Sequence, residues 1–311
     1  MNVLEHRLTP TFGRGRVQRR PVVVVGAANK GANIPGSKQE TLNQVVEALR
    51  GQLGEGSPKK QQQQQQKKKK KKNSKGSRGF SATVKGKRVA IEIPQRDDSD
   101  EGTAKLCLDL INLLGTDYTS RISLVCCGSV SSSTMDNMVK EVPDLEVLNL
   151  QEAVAEAPAG DIIILSAPGG EDVGALKEVE ELLYKCRGAT LVCATNPRWD
   201  DVDPPEEYRG MIRNFTVLYS FVPLSIQGLL GTLDGCVFKY AGGTGAPEAA
   251  AYRVFLTDAD QESGYKQIGQ MSRRPGPGDL ETVIYNAQAA QSPITKAAKG
   301  ISGLFGNRKS D

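Results

Sequence analysis

The sequence contains a single histidine, His6, among its 311 residues. His6 lies near the N-terminus, ahead of every segment with a helix or strand pattern. A Ser-His-Asp or Cys-His catalytic group therefore cannot be assembled within the folded body. Chemistry that depends on carboxylates or lysines is still open, so the shortage of histidine narrows the choice of enzyme classes without removing all of them.

The six cysteines include no CxxC pair, a spacing that many metal and redox sites use. Three of them, Cys126, Cys127 and Cys193, lie in apolar, strand-like runs. We therefore expect the cysteines to be small buried side chains in a protein of a reducing compartment, and we expect no metal site.

The chain has no long hydrophobic run. A transmembrane helix needs about 18 or more consecutive apolar residues. The longest apolar run near the N-terminus is PVVVVGAA, residues 21–28, which is too short to span a bilayer. No transmembrane helix is predicted.

Acidic residues are scarce in the first part of the chain, although the net charge of +4 conceals this. Residues 1–87 hold 20 Lys and Arg against 4 Asp and Glu, whereas residues 88–311 hold 20 against 32. The acidic body should repel polyanions, so nucleic-acid binding would depend on the basic head alone. The lysine run there, KKQQQQQQKKKKKKNSKGSR (59–78), has no aromatic residue on which a base could stack. We expect no specific nucleic-acid partner.

Residues 1–33 form a basic leader with one acid, Glu5, against five arginines (Arg7, Arg14, Arg16, Arg19 and Arg20). An arginine-rich, acid-poor leader is typical of an organelle transit peptide, although this one has little serine. We predict a transit peptide that is removed near Ala27 or Ala28. The alternative is a disordered basic tail.

The body begins with a helix pattern and continues with alternating strands and helices. Ser37 and Glu40 have capping-box spacing at the start of a helix within residues 34–53. Strands are predicted at 88–94, 121–127, 145–150, 161–168 and 189–197, and helices at 97–115, 132–142 and 171–188. The alternation predicts an α/β fold with a mostly parallel, Rossmann-like sheet in three layers.

The pattern changes after Pro205. No long helix separates the strands predicted at 214–224, 235–240 and 252–258, so antiparallel strands are expected in the C-terminal third, followed by a helix at 280–291. The predicted organisation is a leader at 1–33, one α/β domain over 34–290, and a tail at 291–311 that is flexible or weakly amphipathic. A disordered Gln/Lys-rich insertion is predicted within that domain at 54–79.

Three loops carry residues that could bind a ligand. SAPGGEDVG (166–174) lacks the glycine spacing of a phosphate loop, and its acids would oppose a phosphate. RDDSDEG (96–102) groups four acids, which could hold a divalent cation or, more simply, cap the following helix. TNPRWDD (195–201) follows a buried strand on the side where open α/β sheets usually bind ligands.

The last of these loops supplies three candidate residues for a ligand or partner surface: Asn196, Arg198 and Trp199. The amide and the guanidinium can hydrogen-bond an anion or a partner, and Trp199 is the only tryptophan. The alternative is that the Asn-Pro pair forms the turn and that Trp199 covers the edge of the sheet. No catalytic residue is assigned.

Five segments occur in an order that matches a known pattern: KRVAIEIP, ILSAPG, NPRW, FTVLYSFVPLSIQGLLGTLDGCVFKY and GYKQIGQMSRRPGPGDLE. Over residues 34–290 the chain resembles an uncharacterised plastid domain family. That family includes low photosystem II accumulation factors and a domain fused to a chloroplast adenylate kinase. The last segment is the most distinctive, and it adds Arg274 to the candidate surface.

The resemblance implies a protein of the chloroplast stroma that is at most peripheral to the thylakoid membrane. It implies a non-catalytic factor for the assembly or accumulation of photosystem II, with photosystem II subunits or assembly factors as partners. The family has no accepted catalytic site, so no catalytic residue and no cofactor is carried over. The alternative is a stromal enzyme domain that binds a nucleotide or another phosphate ligand on its α/β sheet.

Overall fold

The structure is a computed structural model that describes residues 34–54, 86–169, 173–199, 204–228, 231–242, 250–261 and 263–291. The predicted leader at 1–33 lies outside the described residues. So do nearly all of the predicted Gln/Lys-rich insertion at 54–79 and of the predicted tail at 291–311.

The described chain forms nine strands and eight helices. The strands are β1 Lys87–Glu92, β2 Ile122–Cys126, β3 Glu146–Asn149, β4 Ile162–Ser166, β5 Leu191–Thr195, β6 Thr216–Gly228, β7 Gly231–Tyr240, β8 Tyr252–Thr257 and β9 Tyr265–Met271. The helices are α1 Lys38–Leu53, α2 Asp100–Leu114, α3 Thr116–Thr119, α4 Ser132–Glu141, α5 Leu150–Glu156, α6 Val173–Lys185, α7 Glu206–Arg213 and α8 Pro277–Gln291.

All nine strands belong to one sheet, in the order β3-β2-β4-β5-β1-β6-β7-β8-β9. Neighbouring strands from β3 to β6 are parallel. Neighbouring strands from β6 to β9 are antiparallel. The predicted fold class, a mostly parallel α/β sheet with antiparallel strands in the C-terminal third, is confirmed.

Helices cover both faces of the parallel half, which explains why β2, β4 and β5 are buried along their whole length. One face packs on α1, α2 and α4, with Leu49, Ile111 and Ile164 in its core. The opposite face packs on α5, α6 and α7, with Leu165 and Leu182 in its core. A strand between two helix layers must be apolar on both sides, and the β-branched runs in the sequence meet that requirement.

The antiparallel half has its own core cluster beneath α8, which includes Val254, Met271 and Val283. Val217 of β6 packs against this cluster and also against the core beneath α6. The two cores therefore adjoin on the same face of the sheet, and β6 is the strand at which they meet.

The predicted start of the first helix is confirmed by its cap. The Ser37 hydroxyl accepts the Glu40 main-chain N–H at 3.2 Å, and the helix ends at Gly54 in a left-handed conformation (φ 94°). The predicted helix at 171–188 is shorter, since α6 ends at Lys185. The predicted strands at 214–224 and 235–240 are longer and form the β6–β7 hairpin.

Four elements were not predicted, the first of which is the four-residue helix α3. Helix α5 follows β3 without a loop, because Asn149 ends the strand and also caps the helix through a capping box with Glu152. Helix α7 has only eight residues, among them Gly210, and strand β9 includes Gly269. Short elements that contain glycine give weak periodicity. In the part of the chain that the structure describes, no helix has the length and apolar character to cross a membrane.

Candidate functional site at the carboxyl edge of the sheet

The parallel strands all end on one edge of the sheet, called the carboxyl edge below. The chain leaves β2 for β3 on one side and leaves β4 for β5 on the other side, so the connections diverge between β2 and β4. Open α/β sheets usually bind ligands in the crevice at such a switch point. The loops that begin with Cys127 and Ala167 border this position.

The carboxylate of Asp100 lies at the loop that follows β2. It accepts the main-chain N–H of Ser129 at 2.6 Å. A Cβ atom on Gly128 would lie 2.1 Å from the carboxyl carbon of Asp100, so this close approach requires glycine. Asp100 also belongs to the first turn of α2, where the helix dipole stabilises its charge. One of the chain's own acids is thus held beside the switch point.

Arg198 neutralises this acid from the loop that follows β5. Its Nη1 lies 2.8 Å from Oδ1 of Asp100, with the two side chains 33% and 20% exposed. Its Nη2 donates to the main-chain carbonyl of Asp98, and its main-chain N–H donates to the carbonyl of Pro168 at 2.9 Å. Together Arg198 and Asp100 join the loops after β1, β2, β4 and β5.

The Arg198–Asp100 pair is less exposed than an ordinary surface ion pair. Exposed pairs contribute about 0–1 kcal/mol to stability, whereas hydrogen bonds to charged groups contribute about 1.5–3 kcal/mol. This pair is partly buried and both partners have further hydrogen bonds, so we place its contribution between those limits. A ligand that entered the crevice would first have to replace these contacts.

Asn196 fixes the end of β5 to the end of β1. Its side-chain Oδ1 accepts the main-chain N–H of Ile93 at 2.7 Å, and its Nδ2 donates to the carbonyl of Ile93 at 2.9 Å. Asn196 is in the left-handed region (φ 45°), which asparagine tolerates better than most residues. The amide that the sequence marked as a candidate ligand group therefore bonds the main chain of a neighbouring loop.

Trp199 is buried in the core on the α6 side of the sheet and is 4% exposed. Its ring lies 5.1 Å from that of Phe215, centroid to centroid. The loop after β4 comes close to it, since a Cβ on Gly169 would lie 3.0 Å from the main-chain nitrogen of Trp199. The Trp199 side chain is therefore part of the core beneath the loop that follows β5.

Arg274 lies in a second group of polar residues, at the junction of the parallel and antiparallel halves. Its Nη1 lies 2.6 Å from Oε1 of Glu92 at the end of β1, and the Ser220 hydroxyl of β6 donates to Oε2 at 2.5 Å. Lys239 of β7 is paired in register with Ser220. We call these four residues, Glu92, Ser220, Lys239 and Arg274, the junction cluster.

Three of the four residues of the junction cluster are shielded from solvent, whereas the Arg274 side chain is 43% exposed. Ser220 is fully buried, Lys239 is 5% exposed, and the Glu92 side chain is 14% exposed. The Lys239 ammonium lies 4.7 Å from the centre of the Tyr252 ring, an attractive cation–π geometry. Buried charges need partners. Here the Glu92 carboxylate bonds Arg274 and Ser220, and the Lys239 ammonium lies against the Tyr252 ring.

A sequence profile of a domain of unknown function, DUF1995, matches residues 35–282. The chain belongs to the DUF1995 family. The match runs from the start of α1 into α8, so it includes the carboxyl edge and the junction cluster. A search of curated proteins finds no match to the chain. The expected membership of a family of unknown function is confirmed.

The acids of RDDSDEG bond the serines that cap two helices in this DUF1995 domain, Ser99 at α2 and Ser131 at α4. Asp97 accepts the Ser99 main-chain N–H at 3.2 Å. Glu101 accepts the hydroxyls of Ser131 at 2.6 Å and Thr134 at 3.1 Å, at the start of α4. The bond from Ser131 is the main reason why the pKa of Glu101 is lowered. Among the described residues, no group of three or more His, Cys, Asp or Glu is arranged to hold a metal ion.

The six cysteines are all free thiols, and four of them are buried (Cys107, Cys126, Cys193 and Cys236). Burial raises the pKa of Cys107 to about 11 and that of Cys126 to about 12. Such thiols stay protonated at neutral pH and are poor nucleophiles. The predicted burial is confirmed for Cys107, Cys126, Cys193 and Cys236, whereas Cys127 and Cys186 are only partly buried.

The four candidate residues from the sequence thus divide into two groups. Asn196 and Arg198 lie on the carboxyl edge with Asp100, and Trp199 lies in the core beneath them. Arg274 joins the junction cluster instead. The sequence pattern did not reveal Ser220 or Lys239, although a lysine between apolar residues in GCVFKY was a usable signal, since a buried charge needs a partner.

Proposed function

We propose that this DUF1995 protein is a non-catalytic chloroplast factor that helps photosystem II assemble or accumulate. The resemblance of its five sequence segments to low photosystem II accumulation factors supports this role. The arginine-rich leader supports a location in the chloroplast stroma, at most peripheral to the thylakoid membrane. The partners would be photosystem II subunits or other assembly factors.

The observation that carries the proposal is the Arg198–Asp100 contact at the carboxyl edge. It places the chain's own carboxylate beside the switch point and links four loops across it. Asn196 closes the neighbouring end of β1 in the same way. An edge held together by internal bonds favours a rigid scaffold that binds a protein over a site that admits a small substrate.

The direct test is a null line that lacks this protein. The expected result is a reduced level of photosystem II core subunits, with photosystem I unchanged as the internal control. Expression of the intact chain should restore the level. Photosystem II that accumulates normally in the null line would reject the proposed role.

A second candidate is a stromal domain that binds a nucleotide or another phosphate ligand. It is favoured by two left-handed residues that are not glycine, Ala167 (φ 48°) and Asn196 (φ 45°), at the ends of the adjacent strands β4 and β5. Such backbone conformations are more frequent at functional sites. Thermal shift with millimolar nucleotides and sugar phosphates tests this candidate, because a ligand that binds the folded state must raise the melting temperature.

A further inference from the structure

The hairpin of β6 and β7 extends beyond its neighbours in the sheet. Strand β1 pairs with β6 only as far as Ser220, and β8 pairs with β7 only over Gly235–Phe238. The two hairpin strands stay paired with each other as far as Gly228 and Gly231. Among the described residues, no strand lies beside 221–227 on the side opposite β7. We call this side the open edge of β6.

The register of the hairpin shows which backbone groups point toward the open edge. The Ala241 N–H donates to the Leu218 carbonyl at 3.0 Å, which makes 218 and 241 a hydrogen-bonded pair. Hydrogen-bonded and non-hydrogen-bonded pairs alternate along an antiparallel ladder. Residues 222, 224 and 226 therefore bond to β7, whereas the backbone groups of 221, 223, 225 and 227 point outward.

Pro223 agrees with this assignment. Proline has no N–H, so within a sheet it occurs where its nitrogen faces away from the ladder. The pairing places Pro223 opposite Cys236 in a non-hydrogen-bonded pair, where its nitrogen points outward. The parallel pairing of Glu92 with Ser220 directs the Phe221 N–H to the Glu92 carbonyl, because Ser220 bonds β7. The open edge thus offers the N–H groups of Ser225 and Gln227, and the carbonyls of Phe221, Pro223, Ser225 and Gln227.

The side chains next to the open edge form one apolar face and one more polar face. Val222, Leu224 and Ile226 are half-buried and pack against the core beneath α8. On the other face Pro223 and Ser225 are exposed. An added strand would place alternate side chains beside Val222, Leu224 and Ile226, so these positions should be apolar.

Charge beside the open edge defines the partner further. Asp234 of β7, directly opposite Ser225, is exposed, and its carboxylate accepts the Ser225 hydroxyl at 2.8 Å. Residues 88–311 as a whole hold 32 acids against 20 bases. A segment that carries lysine or arginine would therefore be attracted, and an acidic segment would be repelled.

We propose that the open edge of β6 binds an extended segment of a partner protein, which adds a strand beside 221–227. The segment is apolar at alternate positions and basic at its ends. This inference rests on the proposed function and names the class of partner. Strand addition of this kind obtains affinity from main-chain hydrogen bonds and specificity from alternate side chains.

The test uses the full chain and a short synthetic peptide of alternating Val and Thr with a Lys at each end. On saturation with the peptide, amide exchange at Ser225 and Gln227 should slow by about tenfold or more. Ser225→Pro removes one outward N–H as Pro223 already does, and should weaken the binding of the peptide about fivefold. Ser225→Ala keeps the N–H and should bind as the unchanged chain does.

A second measurement keeps the test decisive if Ser225→Pro does not fold. Peptides that carry N-methyl groups on alternate amides are titrated against the unchanged chain. Only the set that methylates the amides facing β6 should lose binding. Equal binding by both methylated sets, or equal binding to the Pro and Ala variants, would overturn the proposal.

Three further outcomes would also count against it. Slow exchange at 225 and 227 without peptide would mean that the edge is already covered. A dimer that dissociates on Ser225→Pro would make a second copy of the chain the occupant. If a matched peptide with Glu at each end bound equally well, the proposal that the partner segment is basic at its ends would be wrong. A null line with normal photosystem II would reject the proposed function alone, because it leaves the peptide result unchanged.

Discussion

The strands of the parallel and antiparallel halves of the sheet differ in length and in how completely they are buried. Strands β2, β4 and β5 have five residues each and are buried throughout between two layers of helices. Strands β6 and β7 have 13 and 10 residues, and they extend past the strands beside them. The parallel half is therefore enclosed, whereas part of the hairpin has no neighbouring strand among the described residues.

The two halves also differ in whether the polar groups at their margins are bonded within the chain. In the parallel half, Asn196 and Arg198 bond the ends of the strands to neighbouring loops. In the hairpin, the outward groups of residues 223–227 face no other strand among those described. We propose that the enclosed half acts as the scaffold and that the hairpin makes the contact with the partner.

The largest expected effect comes from the enclosed core. Leu182→Ala removes a fully buried side chain from α6 and should lower the free energy of unfolding by about 2–5 kcal/mol. Leu224→Ala in the hairpin, where the side chain is only half-buried, should cost about 1 kcal/mol. Urea unfolding measures both, with the exposed Tyr184→Ala on α6 as the control. Equal losses at 182 and 224 would contradict the distinction between the two halves.

The next largest effect concerns the close approach at the carboxyl edge. Gly128→Ala places a Cβ against the Asp100 carboxylate and should cost about 1–3 kcal/mol of unfolding free energy. Gly188→Ala is the matched control, because nothing lies within 4 Å of its added Cβ. The loss should shrink when Asp100→Ala is also present. A loss that is the same in both backgrounds would show that the carboxylate is not the obstacle.

A smaller, pH-dependent effect is expected at the opposite end of the parallel strands. The Arg121 side chain bonds both oxygens of Asp161, at 3.0 and 2.8 Å, and is the main reason why its pKa lies below the ordinary value of 3.8. A lowered folded-state pKa contributes stability above the unfolded-state pKa, and that contribution is lost as the pH falls through the folded value.

Asp161→Asn should therefore lower the free energy of unfolding at neutral pH. The gap in this free energy between the variant and the unchanged chain should narrow below about pH 4. Urea midpoints between pH 7 and pH 3 measure the gap. Since both side chains are more than 40% exposed, the effect should be modest and should weaken in salt. A gap that stays constant over this pH range would exclude Asp161 as its source.

The smallest effect is expected from the Gln/Lys-rich stretch between α1 and β1. Deletion of residues 57–78 should change the free energy of unfolding by less than about 0.5 kcal/mol, because polar low-complexity sequence contributes little to a packed core. Thermal unfolding and the amide spectrum of the body provide the measurement. If the shortened chain did not fold, the stretch would have a structural role.

The elements of the parallel half could be predicted closely from the sequence. The strand patterns at 121–127, 161–168 and 189–197 became β2, β4 and β5, because β-branched runs suit a strand buried on both faces. Strand β9 was not predicted, and β6 and β7 were recognised but proved longer than predicted. Their length is set by pairing within the hairpin, and this leaves only a weak local signal.

The site was less predictable than the fold. Asn196 and Arg198 could be found because they follow a buried strand on the functional side of the sheet. The bonds from Ser220 and Arg274 to Glu92 join residues 128 and 182 positions apart. Periodicity within a short window gives no information about such pairs. It also could not reveal the open edge of β6, because that edge depends on where the pairing of β1 and β8 with the hairpin ends.

Residue-resolved amide hydrogen exchange on the free chain tests the contrast between the halves most directly. The Ile93 N–H donates to Asn196 at the enclosed carboxyl edge, at 2.7 Å, whereas the Ser225 N–H faces the open edge. We predict that the Ile93 amide exchanges far more slowly than the Ser225 amide. The Leu224 amide should exchange at an intermediate rate. Protection of Ser225 equal to that of Ile93 would contradict an open hairpin beside an enclosed scaffold.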